Sequence, residues 1–185
     1  MIILFIARTG RGKDTCARYL TEKYGLKQLK SYSTRPKRGK EDTHIFIKKE
    51  DVDKYKEDMI AYTKIGEYEY FATKEQIKNA DIYIVDPRGY LMLKESMPEE
   101  TFFVIYITLN RNEARKRAIL RNPENKNEGD IFDLREADED EQFSDFEKNQ
   151  YADVILDNKD WSITKKNLDS IYKAYSFVNK KHLVN

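Results

Sequence analysis

Residues 1–15 constrain this chain more than any other stretch. An apolar run, Ile2-Ile3-Leu4-Phe5-Ile6, leads into Ala7-Arg8-Thr9-Gly10-Arg11-Gly12-Lys13-Asp14-Thr15, and a helical pattern continues from Lys13 to Tyr24. A buried-type strand that ends in glycines and passes straight into a helix is the context of a phosphate-binding loop. Gly10 and Gly12 let successive backbone N–H groups turn inward around an anion. The helix N-terminus adds partial positive charge, and Lys13 can reach the β- and γ-phosphates of a nucleotide. Thr9, Gly10, Arg11, Gly12, Lys13, Asp14 and Thr15 are therefore expected to bind the phosphates of ATP. The strict pattern G-x-x-x-x-G-K-[ST] is not met: Ala7 replaces its first glycine, and Asp14 holds the hydroxyl position that ordinarily faces magnesium. Asp14 and Thr15 are the expected contacts to Mg2+, directly or through water. A glycine-rich turn capped by Asp14 is the plain structural alternative.

Three further apolar runs, Ile82 to Val85, Phe102 to Leu109 and Val154 to Leu156, have the character of buried parallel strands. Helical patterns accompany them at Gly89 to Glu95, Arg111 to Arg121 and Trp161 to Phe177. This alternation predicts an α/β chain with the three-layer P-loop NTPase fold and a mainly parallel sheet. With 185 residues, one domain suffices. Its core is expected at 1–30, 81–121 and 151–185. Residues 31–80 break the rhythm with short β-like pieces at His44 to Lys48, Ile60 to Lys64 and Glu67 to Phe71, and helices at Lys49 to Asp58 and near Lys74 to Asn79; they read as an inserted substrate-binding subdomain. The polar stretch 122–150 has the composition of a lid, and its acidic run Asp138-Glu139-Asp140-Glu141 reads as a solvated helix face.

Lys and Arg number 34 against 33 Asp and Glu, a net charge of +1. Such balance offers no global attraction to nucleic acid or to an anionic membrane. No run approaches the length of a membrane span, and the opening apolar run is too short for a signal peptide core. The expected setting is cytoplasmic, with small-molecule nucleotides as partners. Oligomeric state stays open between monomer and homodimer. The single Cys16 falls within the first helix and is expected to pack as a small hydrophobe.

The segment Ser31-Tyr32-Ser33-Thr34-Arg35-Pro36-Lys37-Arg38, continuing to His44-Ile45-Phe46, resembles the signature of guanylate kinases. Arg35 and Arg38 are two guanidinium forks on a Pro-containing loop, suited to bidentate capture of an acceptor phosphate. Gly66 to Tyr70 is similar to the family's Gly-Asn-Tyr-Tyr-Gly segment, and Asp86-Pro87-Arg88-Gly89 to its Asp-x-x-Gly. The resemblance implies a kinase that uses MgATP to phosphorylate a nucleoside monophosphate, with GMP or dGMP as leading acceptor. It implies that Ser31, Tyr70 and Asp86 line the acceptor site with Arg35 and Arg38. Asp86 also resembles a Walker-B carboxylate.

Three positions depart from the family pattern. His44 stands where the family has a phosphate-binding tyrosine, Ala61 where it has a guanine-binding glutamate, and Tyr70-Phe71-Ala72-Thr73 replaces Tyr-Gly-Ser. The Gly-Lys-Asp-Thr loop with His44 after an acidic stretch is also similar to ribose 1,5-bisphosphate phosphokinases, whose acceptor has no base. The segment Asn110 to Arg121 looks like the family's helix into the lid. Alignment with the family implies Arg121 and Arg135 as catalytic cations alongside Lys13, and Ala152 to Asn158 as the segment closing on adenine through its backbone. A non-catalytic binding module of the same family is the alternative from another class.

Overall fold

The computed structural model describes residues 1–37 and 42–182. The elements run β1 (Ile2–Ile6), α1 (Lys13–Tyr24), β2 (Tyr32–Ser33), β3 (Ile45–Phe46), a 3-10 helix (Lys49–Tyr55), β4 (Met59–Ile65), β5 (Tyr68–Thr73), α2 (Lys74–Lys78), β6 (Ile82–Ile84), α3 (Pro87–Ser96), β7 (Phe102–Thr108), α4 (Arg111–Arg121), α5 (Glu128–Lys148), β8 (Val154–Asp157) and α6 (Trp161–His182). β6, β1, β7 and β8 form a sheet in that order, and its neighbouring strands are parallel.

β1 is central because every one of its side chains is apolar and buried. Ile2, Leu4 and Ile6 face one layer, with Leu93 of α3, Met97 just after it, and Phe143 and Phe146 of α5. Ile3 and Phe5 face the other, with Cys16, Ala17 and Leu20 of α1 and Leu168 of α6. Alternation along a strand with apolar residues on both faces requires cover on both sides, which yields the three layers. Burying side chains of this size contributes about 1.5–3 kcal/mol each. Cys16 is fully buried on the inner face of α1, as its helical register implies.

The insert between α1 and β6 carries its own sheet, ordered β3-β2-β5-β4 and mostly antiparallel. It is not a separate core: Ile60, Ala61, Ala72 and Ile77 join the cluster that contains Leu4 and Leu93. Two local differences from expectation have simple causes. Residues 49–55 wind as a 3-10 helix instead of an α-helix, with Val52 as their buried residue. The pair Tyr32–Ser33 forms a short strand because Phe71 and Tyr70 of β5 lie opposite in register, a non-local pairing with no periodic signal.

Segment 122–150 is mostly one helix of 21 residues. Its inward stripe, Phe132, Glu136, Phe143 and Phe146, is buried. Phe146 packs edge-on to Tyr90 and Tyr106, so this helix belongs to the packed body in the conformation described. The acidic run within it is not uniformly solvated: Asp138, Asp140 and Glu141 are exposed, while Glu139 turns inward.

Candidate active site

A cleft of about 540 Å³ opens where the ends of β1 and β6 meet the insert and α5. The loop after β1 contributes Thr9, Lys13 and Asp14. The insert contributes Ser31, Arg35, His44 and Tyr70, the start of α3 contributes Asp86 and Arg88, and α5 contributes Arg135, Glu139 and Gln142. Residues expected from sequence to bind donor and acceptor thus face one space. Gly10, Arg11, Gly12, Thr15 and Arg121 are not among its lining residues, and Arg38 lies outside the described residues. A hollow of similar volume, about 550 Å³, lies between α1 and α6; its Tyr19, Lys23 and Asp169 are bonded to one another.

The loop is shaped by its glycines and clamped from behind. Gly10 and Gly12 adopt φ +73° and +88°, a region that disfavours side chains. A Cβ on Gly10 would stand 2.9 Å from the Phe132 ring, and one on Gly12 would stand 2.5 Å from Nδ2 of Asn158. That Nδ2 donates to the Arg11 carbonyl at 2.8 Å. The Arg11 side chain turns away from the cleft: its guanidinium is buried, donates to the Thr9 carbonyl at 2.8 Å and forms a two-point ion pair with Glu136. The charge of Arg11 is therefore spent on α5, and its amide donates to the Arg8 carbonyl at 3.4 Å. Thr15 is exposed on α1, so of the two expected magnesium contacts only Asp14 faces the cleft.

On the acceptor side, Ser31 Oγ and His44 Nδ1 lie 3.0 Å apart, and the His44 ring meets Tyr70 edge-on at 5.7 Å. Ser31 and Arg35 are both buried, and the Arg35 guanidinium sits 5.1 Å above the Phe46 ring while donating to the Pro36 carbonyl. A held guanidinium of this kind presents a fork of fixed direction. Asp86 has a structural task as well: it is the N-cap of α3, with Oδ1 accepting from the Gly89 amide at 2.6 Å and Oδ2 accepting from Thr63 Oγ1 at 2.7 Å. Ala61 sits at a bulge of β4 with φ +49° and is buried. At that position a long acidic side chain would be strained in the backbone before it reached a base.

Among the cations of α4 and of the expected lid, placement differs. Arg135 lines the cleft and, among the described residues, makes no ion pair. Arg121, at the end of α4, is exposed and lies 3.8 Å from Glu128 Oε1. Arg117 donates to the Lys159 carbonyl at 3.0 Å.

The fold agrees with a solved structure. The crystal structure of guanylate kinase from Anaplasma phagocytophilum matches 94% of this chain and 85% of its own, with a TM-score of 0.63 and 20% identity. The chain has a guanylate kinase-type fold. No protein-family model matches the sequence, and no curated protein matches it. No helix among the described residues is long and apolar enough to cross a membrane.

Magnesium was expected from the sequence resemblance, with Asp14 and Thr15 as its contacts. Among the described residues no three His, Cys, Asp or Glu side chains converge to hold a metal unaided. Mg2+ in such sites takes one or two carboxylates together with substrate phosphates, and Asp14 beside Lys13 is a donor that fits this pattern.

On this guanylate kinase-type fold, α5 reaches the loop, and two of its contacts, Glu139 and Asp140, come from the run that the sequence reading left as a solvated face. Glu139 Oε2 accepts from the Thr9 amide at 2.7 Å, Glu136 holds Arg11, and Asp140 pairs with Arg8 at 2.5 Å. Burial pushes the Glu139 carboxyl above the ordinary range, against the opposing pull of the Thr9 amide and Lys13. The signal was present: Phe132, Glu136, Glu139, Phe143 and Phe146 recur at helical spacing, one stripe carrying both phenyl rings and carboxylates. Asn158 was expected at the end of the segment closing on adenine; nothing local in the sequence joins its side chain to Arg11.

Proposed function

We propose that this protein is an ATP-dependent kinase that transfers the γ-phosphoryl group to a nucleoside monophosphate, with GMP or dGMP the leading acceptor. The reading rests on one observation: Lys13 of the glycine loop and Ser31, Arg35 and Tyr70 of the insert line the same cleft. Residues 31–80 then serve as the acceptor-binding subdomain and 122–150 as the lid. A fold alone does not fix an activity; the residues gathered in the cleft support this one.

In the reaction, a phosphate oxygen of the acceptor forms a bond to the γ-phosphorus of ATP. The bond from that phosphorus to the β,γ-bridging oxygen breaks, and ADP leaves with the electron pair. Charge spreads over the transferred oxygens and the bridge, so preorganised cations supply most of the assistance. Lys13 serves the donor phosphates and Arg135 the transferring group. Arg35, Ser31, His44 and Tyr70 hold the acceptor phosphate in line, with Arg38 expected to join them. Mg2+, held through Asp14 and the nucleotide, would neutralise phosphate charge.

A second reading, ribose 1,5-bisphosphate as acceptor, draws on a specific observation: both oxygens of Asp86 are engaged by Gly89 and Thr63, and Ala61 offers no side-chain acceptor to a base. An acceptor panel with MgATP decides between them. The expected result is turnover with a nucleoside monophosphate, GMP or dGMP foremost, lost in Lys13→Ala. Preference for ribose 1,5-bisphosphate would transfer the assignment to the baseless sugar, and no turnover with any acceptor would favour a non-catalytic binding module.

A further inference from the structure

The phosphate loop already holds an anion, and the protein supplies it. Thr9 lines the cleft beside Lys13, and its amide donates to Glu139 Oε2 at 2.7 Å. Glu139 itself lines the cleft, so its carboxylate stands on the side from which a nucleotide would approach. The contact is braced along α5. Glu136, one turn earlier, holds the buried Arg11 of the same loop, and Asp140 and Glu147 reach Arg8 at 2.5 and 3.7 Å. Phe143, one turn later, packs beneath the Arg8 guanidinium at 5.0 Å and is buried in the core. The helix is thus fixed to the loop on both sides of Glu139, with register determined by packing and by ion pairs.

We infer that Glu139 is an internal competitor for the terminal phosphate of the donor nucleotide, so that donor binding must first displace this carboxylate from the Thr9 amide and the neighbourhood of Lys13. The inference rests on the donor-loop reading above and adds regulation to it. Physically, one carboxylate and one phosphate oxygen cannot share a single N–H, and two anions beside one ammonium repel. A ligand that favours the state with Glu139 withdrawn pays for that displacement from its own binding energy, which lowers its apparent affinity by the fraction of molecules in the open state. Resting occupancy by Glu139 thereby couples donor binding to the position of α5, the helix that also carries Arg135 into the cleft.

The test compares equilibrium binding of ATP and of inorganic tripolyphosphate to the full chain and to Glu139→Gln, Glu139→Ala, Glu113→Gln and Lys13→Ala, with thermal melts to verify folding. Glu113 is a charge-matched control on α4, paired with Lys116. Loss of a charged competitor's hydrogen bond predicts affinity for both probes about tenfold or more tighter in Glu139→Ala. Glu139→Gln should fall between wild type and Ala because its amide oxygen can still accept from Thr9 without the charge. Glu113→Gln should leave both affinities where they were. Equal or weaker binding by both Glu139 variants, with wild-type binding still dependent on Lys13, overturns the competitor and leaves the donor loop standing. An equal gain in Glu113→Gln overturns it too, since long-range charge would then explain the effect. Failure of wild type and every folded variant to bind either probe removes the donor-loop reading itself, and the competitor with it.

Discussion

Arg11 and Glu136 meet as a two-point ion pair with both side chains nearly removed from solvent, 7% and 9% exposed. This pair ties the glycine loop to α5 and explains why its arginine does not face the cleft. Pairs of this kind contribute little net stability against an apolar substitute, yet breaking one strands a buried charge. Glu136→Ala should therefore lower unfolding free energy by about 3–5 kcal/mol in urea titrations. Glu136→Gln, which retains an acceptor for Arg11, should lose less. A surface-like loss in Glu136→Ala would contradict the burial of the pair.

The Glu139 carboxyl is raised by burial, with Glu136 acting in the same direction and the Thr9 amide, Lys13 and Arg11 opposing. The folded state therefore binds the proton more readily than the unfolded chain. The corresponding stabilisation is full below the ordinary carboxylate range and is lost as pH rises through the raised value. Glu139→Gln should remove this slope, so melting temperature between about pH 4 and 8 should fall less with rising pH than in wild type. A parallel pair of curves would refute the assignment of the slope to Glu139.

Arg135 faces the cleft, whereas Arg121 stands exposed beside Glu128. Loss of a cation aimed at developing charge costs about 100-fold or more in turnover. Single-turnover phosphoryl transfer in Arg135→Met should fall on that scale with ATP binding retained, and the loss in Arg121→Met should be smaller. The reverse order would mean that α4 repositions Arg121 during the reaction.

Cys16 is fully buried, and burial pushes its thiol up to about 12. Thiolate, the reactive form, is scarce in the folded protein under ordinary conditions. An alkylating thiol reagent should therefore label Cys16 readily in denaturant and slowly, at the rate of opening, in the native state. Fast native labelling would place the thiol at an accessible surface instead.

Much of the core was legible because it rests on local pattern. Ile2 to Ile6 and Arg111 to Arg121 have the same limits in the sequence reading and in the structure, since an all-apolar strand and a capped helix carry their periodicity in adjacent residues. The glycine loop was legible for the same reason. Weaker signals came from Tyr32–Ser33, whose strand exists only because β5 lies beside it, and from Glu139, whose carboxylate reads as solvated until α5 is rotated against the loop. Asp86 was expected to face an acceptor; its cap on α3 is a local contact with Gly89, while its bond to Thr63 emerges only when β4 is folded across it.

The amino-acid sequence by itself determined the alternation of strands and helices, the buried character of β1 and the glycine turn between β1 and α1, because backbone preference and hydrophobic period act between near neighbours. Tertiary structure alone decided which charges are available. Packing of α5 turned Arg11 inward, placed Arg135 in the cleft and set Glu139 on the Thr9 amide. Charges separated by more than a hundred residues in sequence find one another only after burial has removed the water that would otherwise have served each of them.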